Sequence, residues 1–220
     1  MIAANISKVR SELQRISPNR AVKLVAVSKT KPCDAIMDAY SCGQRHFGEN
    51  YVSELVEKYQ RLPAEIQWHF IGHLQSNKVS KLIRSCPNLY MIETVDSQRL
   101  ANKINTSLST AERNTKLKVL VEVLTSGEGT KSGAQTSEVL PLVRYIIDAC
   151  ANLEFDGLMT IADPSNPEAS FQALAEIRSR LEAESIHMNT LSMGMSGDYV
   201  KALEYGSNEV RIGSTIFGSR

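Results

Sequence analysis

The chain has 220 residues, with 25 Lys+Arg against 24 Asp+Glu and a formal net charge of +1. Charges of both signs are interspersed along its whole length, which excludes the basic excess of a dedicated nucleic-acid binder. At 42% hydrophobic and 22% charged residues it is too apolar for disorder and too mixed for a coiled coil, and no apolar run approaches the ~20 residues that span a bilayer.

Folding at this length buries roughly 70% of the extended chain's surface, enough for one good core. Nothing in the sequence has the composition of a linker, so residues 1–220 read as one domain. The four cysteines, Cys33, Cys42, Cys86 and Cys150, are scattered and form no C-x-x-C pair. That usage predicts reduced thiols and a cytoplasmic setting.

The N-terminal stretch lacks the basic segment and apolar run of a signal peptide. Instead Ile2, Ile6, Val9, Leu13 and Ile16 recur at helical spacing, predicting an amphipathic helix over 3–16. An apolar, β-branched strand follows at 22–27 and runs into Ser28-Lys29-Thr30-Lys31-Pro32. Helix 33–42 ends at Gly43. Then come strand 46–48, helix 50–60, strand 67–71 and helix 75–84. The rhythm continues with strand 89–94, helix 97–110, strand 118–124, helix 136–150 and strand 153–158. It closes with helix 167–183, a strand near 190–192, helix 198–205 and strand 209–212.

Strands separated by helices pair in parallel through crossovers, so eight such units predict either a doubly wound sheet or a closed (β/α)8 barrel. The barrel makes a specific demand. Functional residues should follow the strands, and phosphate should be held by the loops after strands seven and eight. Polar and glycine-rich segments fall there: Ser28 to Lys31 after the first strand, Gly48-Glu49-Asn50 after the second, Gly72 to Asn77 after the third, Met193 to Asp198 after the seventh, and Gly213-Ser214 after the eighth.

Lys29 and Lys31 lie two apart, so if the first strand persists both point to one side, and one of them enters the barrel mouth. A partly desolvated lysine beside a second cation has a depressed amine pKa and attacks aldehydes; the alternative is a pair of surface lysines. The run Ser192 to Asp198 offers small residues and backbone N–H groups before a helix, an anion cradle to which Gly213-Ser214 adds a second wall; the alternative is a glycine-capped turn. The stretch Thr125 to Gly133 superficially resembles a nucleotide P-loop but has Thr130 and Thr125 where that motif needs glycine, and Lys131 remains a loop lysine or an additional mouth lysine. His69 and His73 are four apart, yet the segment reads as strand and turn and no Glu follows His69, which argues against a metal site and for a buried His69 with one satisfied nitrogen. Met193 and Met195 read as apolar loop lining.

Five motifs in order, Val25-Ala-Val-Ser-Lys-Thr-Lys-Pro32, Phe47-Gly-Glu-Asn-Tyr51, Trp68-His-Phe-Ile-Gly-His-Leu-Gln-Ser-Asn-Lys78, Leu191-Ser-Met-Gly-Met-Ser-Gly-Asp198 and Val210-Arg-Ile-Gly-Ser-Thr-Ile-Phe-Gly218, together resemble the YggS/PROSC family of pyridoxal phosphate homeostasis proteins. The resemblance runs from the first strand to the C-terminus. It implies an α/β fold with a single (β/α)8 TIM barrel, the fold type III of proteins that bind pyridoxal 5'-phosphate (PLP), here with an extra N-terminal helix. It implies that Lys29 forms the internal aldimine with PLP, with Lys31 its neighbour. Ser196, Gly197, Gly213 and Ser214 match positions that hold the phosphate. Arg211 matches the arginine facing the pyridine nitrogen, and Asn50 lies in the motif flanking the ring.

A guanidinium against that nitrogen disfavours its protonation and weakens the ring as an electron sink. The resemblance therefore implies a PLP carrier and buffer without significant catalysis, serving intracellular vitamin B6 and amino/keto acid homeostasis. Racemases of this fold take an opposite-face tyrosine from a second domain that this chain is not expected to supply, and a mouth left open should exchange cofactor easily. A PLP enzyme such as a racemase or decarboxylase using a partner's base is the second reading, and a cofactor-free barrel enzyme acting on a phosphorylated metabolite the third. Expected partners are PLP and apo PLP-dependent enzymes as recipients, without nucleic acid or membrane. A monomer is the expectation, with a dimer as the alternative and Lys31 or Lys131 as candidates for a transient second linkage.

Overall fold

In the computed structural model, which describes residues 1–111, 113–126 and 132–218, eight parallel strands close on themselves in sequence order. Helix α1 (Ile2–Ile16) precedes β1 (Lys23–Val27). The units then run α2 (Cys33–Ser41), β2 (His46–Glu49), α3 (Val52–Arg61), β3 (Gln67–Phe70), α4 (Val79–Ser85), β4 (Met91–Val95), α5 (Gln98–Ser109), β5 (Leu117–Glu122) and α6 (Thr136–Ala149). They finish with β6 (Leu153–Met159), α7 (Pro167–Ala183), β7 (Thr190–Met195), α8 (Tyr199–Glu204), β8 (Glu209–Ile212) and α9 (Ser214–Phe217). The pairing of β1 with β8, Val25 opposite Arg211, excludes the doubly wound sheet and leaves the barrel.

Local chemistry sets the element ends. Ser97 caps α5 by accepting from Leu100 N–H at 3.3 Å, and Asn166 caps α7 through Ala169 N–H at 3.3 Å, with Pro167 in its first turn. Glu138 reaches back to Gln135 N–H at 3.1 Å and closes the start of α6. At the strands' N-terminal end, arginines close helix C-termini. Arg10 and Arg45 donate to Cys42 O and Tyr40 O beyond and within α2, and Arg20 donates to Leu203 O of α8.

Three expectations need correction. A 3₁₀ turn at Ser76–Lys78 precedes α4, where one helix over 75–84 is expected. Strand β7 runs on to Met195, so Met193 is a fully buried strand residue rather than loop lining. Gly194, at φ +100° with Tyr199 and Ala202 packed against it, makes that extension possible, because any Cβ would lie 2.7 Å from the Ala202 methyl. The four-residue α9 is too short to announce itself by periodicity.

The two faces of the strands differ. Outward positions such as Leu24, Ala26, Phe47, Trp68, Phe70, Ile92, Val119, Leu158, Leu191 and Val210 are buried against the helices in one continuous apolar core. Each fully buried large side chain contributes about 1.5–3 kcal/mol. Inward positions include a small apolar layer, Met91, Leu120 and Met159, and a set of buried polar residues, His69, Glu93, Ser192, Glu209 and Arg211. Helix α1 buries Ile6, Val9 and Leu13, and fastens the C-terminal units: Asn5 donates to Ile216 O at 3.0 Å, and Glu12 accepts from the Tyr199 hydroxyl. No helix among the described residues is long and apolar enough to cross a membrane.

Candidate functional site

A cavity of ≈ 300 Å³ opens at the C-terminal ends of the strands. Lys29, Asn50, Ser196, Gly197, Arg211, Gly213 and Ser214 all line it, together with Lys31. The sequence places these residues up to 185 positions apart, and barrel closure brings them together. Lys131 lies outside the described residues.

Strand β1 stops at Val27, so the condition that would have pointed Lys29 and Lys31 to one side does not hold. A tight turn carries both lysines to the cavity instead. Thr30 sits in the left-handed region at φ +65°, a cost of about 1 kcal/mol or more for a residue with a branched Cβ. A buried network fixes this turn. Lys58 Nζ on α3 donates to Ser28 O at 2.8 Å, Glu49 Oε1 at 2.8 Å and Glu54 Oε1 at 2.7 Å. The Ser28 hydroxyl donates to Glu49 at 2.6 Å, and Thr30 N–H donates to Glu54 at 2.6 Å. Burial pushes the Glu49 carboxyl up, opposed by the Lys58 charge and by hydrogen bonds from Lys58 and Ser28. Lys31 Nζ donates to Gly218 O at 3.1 Å, tying the turn to the end of α9.

Asn50 follows β2 at a close backbone crossing: a Cβ at Gly72 would collide with the Asn50 carbonyl oxygen, so that position requires glycine. The Asn50 Oδ1 atom is buried and has no hydrogen-bond partner among the described residues. Across the cavity, the Ser196 hydroxyl oxygen accepts from Gly213 N–H at 3.3 Å and Thr215 N–H at 3.4 Å. These long bonds join the β7 and β8 loops, and a Cβ at Gly197 would point into open space. The result is a group of backbone donors and hydroxyls at the place where barrels of this kind hold phosphate.

Arg211 is inward-facing on β8 and buried. Its Nη1 donates to Ser192 Oγ at 2.7 Å and its Nη2 to Thr160 O at 2.8 Å. The Ser192 hydroxyl donates to Glu93 Oε2 at 2.8 Å, and His69 Nδ1 lies 2.7 Å from Glu93 Oε1. His69 Nε2 in turn is 2.9 Å from His46 Nδ1. Both His69 nitrogens are thus engaged, where one is expected. Burial opposes ionisation of Glu93, but the hydrogen bond and charge of His69, the Arg211 charge and the Ser192 bond outweigh it and hold this carboxyl below the ordinary range. For the neighbouring Glu209, burial and then the Glu93 charge push the carboxyl up, against His69 and Lys23.

His69, Glu93 and Glu209 approach closely enough to surround a cation. Both Glu93 oxygens, however, already accept hydrogen bonds, and the Lys23 ammonium stands 3.0 Å from Glu209. The positive charge that this cluster meets is carried by the chain's own side chains.

Sequence reading gives no role to Glu54, Lys58 or Glu93, names Glu49 only within the motif after β2, and places Ser192 in the anion cradle rather than between Glu93 and Arg211. A signal for one of them exists. Glu93 is a charged residue in the middle of a largely apolar strand, the pattern of a buried group with a dedicated partner.

The model of the family described as "Alanine racemase, N-terminal domain" matches residues 1–220. The chain is 49% identical over 214 residues to the human protein named pyridoxal phosphate homeostasis protein, covering 90% of this chain and 76% of that one. It is 46% identical over 217 residues to the protein of that name from Schizosaccharomyces pombe, with 96% and 90% covered. Among solved structures, PipY of Synechococcus elongatus with PLP bound superposes with a TM-score of 0.85 at 31% identity, covering 99% of this chain and 100% of that one.

Proposed function

The chain belongs to the alanine racemase N-terminal domain family, among the pyridoxal phosphate homeostasis proteins, and from that premise we propose that it binds PLP in the barrel mouth and carries it in the cytoplasm as one domain, without significant catalysis. The observation that carries this reading is the convergence of all seven residues on one cavity. That cavity suits the group: it offers a lysine amine, backbone donors and hydroxyls for a phosphate, a guanidinium, and an unsatisfied buried amide oxygen at Asn50.

When bound, PLP supplies an aldehyde that condenses with amines and, in enzymes, a ring that spreads negative charge. Lys29 provides the amine that holds it covalently, on a turn clamped by Lys58 and Glu54. Ser196, Gly197, Gly213 and Ser214 bind the phosphate. Asn50 flanks the ring. Arg211, fixed by Ser192 and Thr160, would face the ring nitrogen, where its guanidinium would disfavour a proton.

Two features favour holding over turnover. A cationic partner at the ring nitrogen discourages carbanion formation. The described residues lining the cavity include no carboxylate, histidine, tyrosine or cysteine, so among them only the two lysines could act as a general base of ordinary strength. Apo forms of PLP-dependent enzymes are the recipients.

The test uses PLP-loaded protein with L-alanine in heavy water, and separately with an apo PLP-dependent enzyme. The expected result is α-deuteration no faster than with free PLP, and recovery of the acceptor's activity. Deuteration far above the free-cofactor rate would place the protein among the enzymes of this fold.

A further inference from the structure

The hydrogen bonds through the barrel interior form a single column. It begins at His46, the first residue of β2, in a cleft at the N-terminal end of the barrel beside Lys23 and Arg45. It passes through His69 on β3, Glu93 on β4 and Ser192 on β7, and ends at Arg211 on β8, which lines the cavity at the other end. From His69 to Arg211 every side chain is buried, and every link is 2.7–2.9 Å.

Chemistry fixes the sense of the links around Glu93. Arginine has no acceptor and an ionised carboxylate has no donor, so the single proton of the Ser192 hydroxyl is directed to Glu93 while its oxygen accepts from Arg211. His69 must likewise present Nδ1–H to Glu93. Such charge-assisted bonds are the strong ones, and a buried network with every member satisfied holds one geometry.

We propose that Glu93 is a positioning residue for the cofactor site: through the Ser192 hydroxyl it orients Arg211 and tempers its charge, and through His69 it ties that guanidinium to His46 at the opposite end of the barrel. This rests on the reading of Arg211 as the residue facing bound PLP. The groups that face Glu93 are His69 on β3, Ser192 on β7, and Arg211 and Glu209 on β8, with Lys23 on β1 paired to Glu209 and His46 on β2 behind His69. Removing the Glu93 charge while keeping its shape leaves the Arg211 field uncompensated. A more positive field disfavours the proton on the Lys29 nitrogen that holds the cofactor.

The test measures the pH midpoint of the cofactor's absorbance change in PLP-loaded wild type, Glu93→Gln, Ser192→Ala and the double variant. It also follows the Arg211 guanidinium N–H signals by NMR in cofactor-free protein. The Gln variant should lower the midpoint by about one pH unit, the effect of one charge at interior distances and an effective dielectric near 20. Ser192→Ala should move it the same way by less, the double variant should be non-additive, and both single variants should lose the slowly exchanging Arg211 signals.

An unchanged midpoint in both single variants, or additive shifts, would overturn the proposal by leaving Glu93 a structural role alone. Should Glu93→Gln fail to fold, Ser192→Ala decides by the same readouts. A wild type that takes up no PLP would overturn the functional reading instead. The cofactor-free Arg211 signals would then judge the column, with their persistence in Ser192→Ala counting against it.

Discussion

The eight strands of this barrel carry two different interiors on their two faces, and β4 shows both within two residues. Ile92 points outward into the apolar core shared with the helices, while Glu93 points inward to His69, Ser192 and, beyond it, Arg211. Outside, cohesion comes from area removed from water, which is non-directional and tolerates exchange of one apolar shape for another. Inside, it comes from partnered polar groups, where removing one member leaves another buried and unsatisfied. The outer face therefore sets how stable the barrel is, and the inner face also sets what its mouth can do.

Replacing each member of this pair separates the two roles. Glu93→Ala should be the most damaging change, costing about 3–5 kcal/mol because it leaves buried cationic and polar partners without their acceptor. It should also weaken PLP retention. Ile92→Ala should cost a comparable or smaller ~2–5 kcal/mol through its cavity and leave PLP binding per folded molecule unchanged. Denaturant titration and equilibrium dialysis on the two variants check this. Equal losses of PLP affinity in the two would break the contrast.

The clamp around the lysine turn belongs to neither interior. Lys58→Met keeps the buried stem but removes the ammonium that serves Glu49, Glu54 and Ser28 O. The expected loss is about 3 kcal/mol, as for a buried pair deprived of one partner, with slower attachment of PLP at Lys29. Urea midpoints and the kinetics of band formation measure both.

The inner face should also respond to acid. Burial, then the charges of His69 and Lys23, lowers the His46 pKa from 6.5 to about 3. Between those values the unfolded chain binds this proton and the folded one does not. His46 therefore destabilises the fold progressively as pH drops from 6.5 towards 3, at up to about 1.4 kcal/mol per pH unit. Glu93, with its lowered pKa, stabilises above its unfolded value of 4.5 and loses that contribution below it. Glu49, Glu122 and Glu209, with raised values, work in the opposite sense: their contribution is full below 4.5 and is lost as pH rises. The decisive quantity is the difference between wild type and His46→Asn, which should open as pH falls from 6.5. A constant difference across that range would contradict a half-buried imidazole held neutral.

The smallest effect is expected at Lys31, where loss of one exposed bond to Gly218 O should cost at most about 1 kcal/mol by thermal melting and leave the cofactor attached elsewhere.

Much of this is legible in the chain itself. Periodicity places the eight strands, and Gly, Pro and Ser punctuation places most helix ends, because those signals are local. The motifs after β1, β2, β7 and β8 locate the cavity residues that follow their strands, since a barrel collects whatever follows them, whereas Arg211, inside β8, is singled out by the family resemblance alone. What escapes depends on closure or on shortness. Glu93 and Ser192 are 99 positions apart, and only the register around the barrel makes them neighbours. Helix α9 has four residues, less than the span over which helical periodicity can be read. The reach of β7 to Met195 is hidden by Gly194, which reads as a turn but serves close packing against α8.

The central claim, that Lys29 holds the cofactor in this cavity, is tested most directly by mixing the purified protein with PLP, reducing with borohydride and mapping the modified peptide, alongside Lys29→Ala. The expected result is a band between about 300 and 500 nm that reduction traps. The peptide containing Lys29 should carry the cofactor's mass, and the variant should lose or displace the band. A colourless mixture, or a label distributed over surface lysines and unaffected by the substitution, would contradict it.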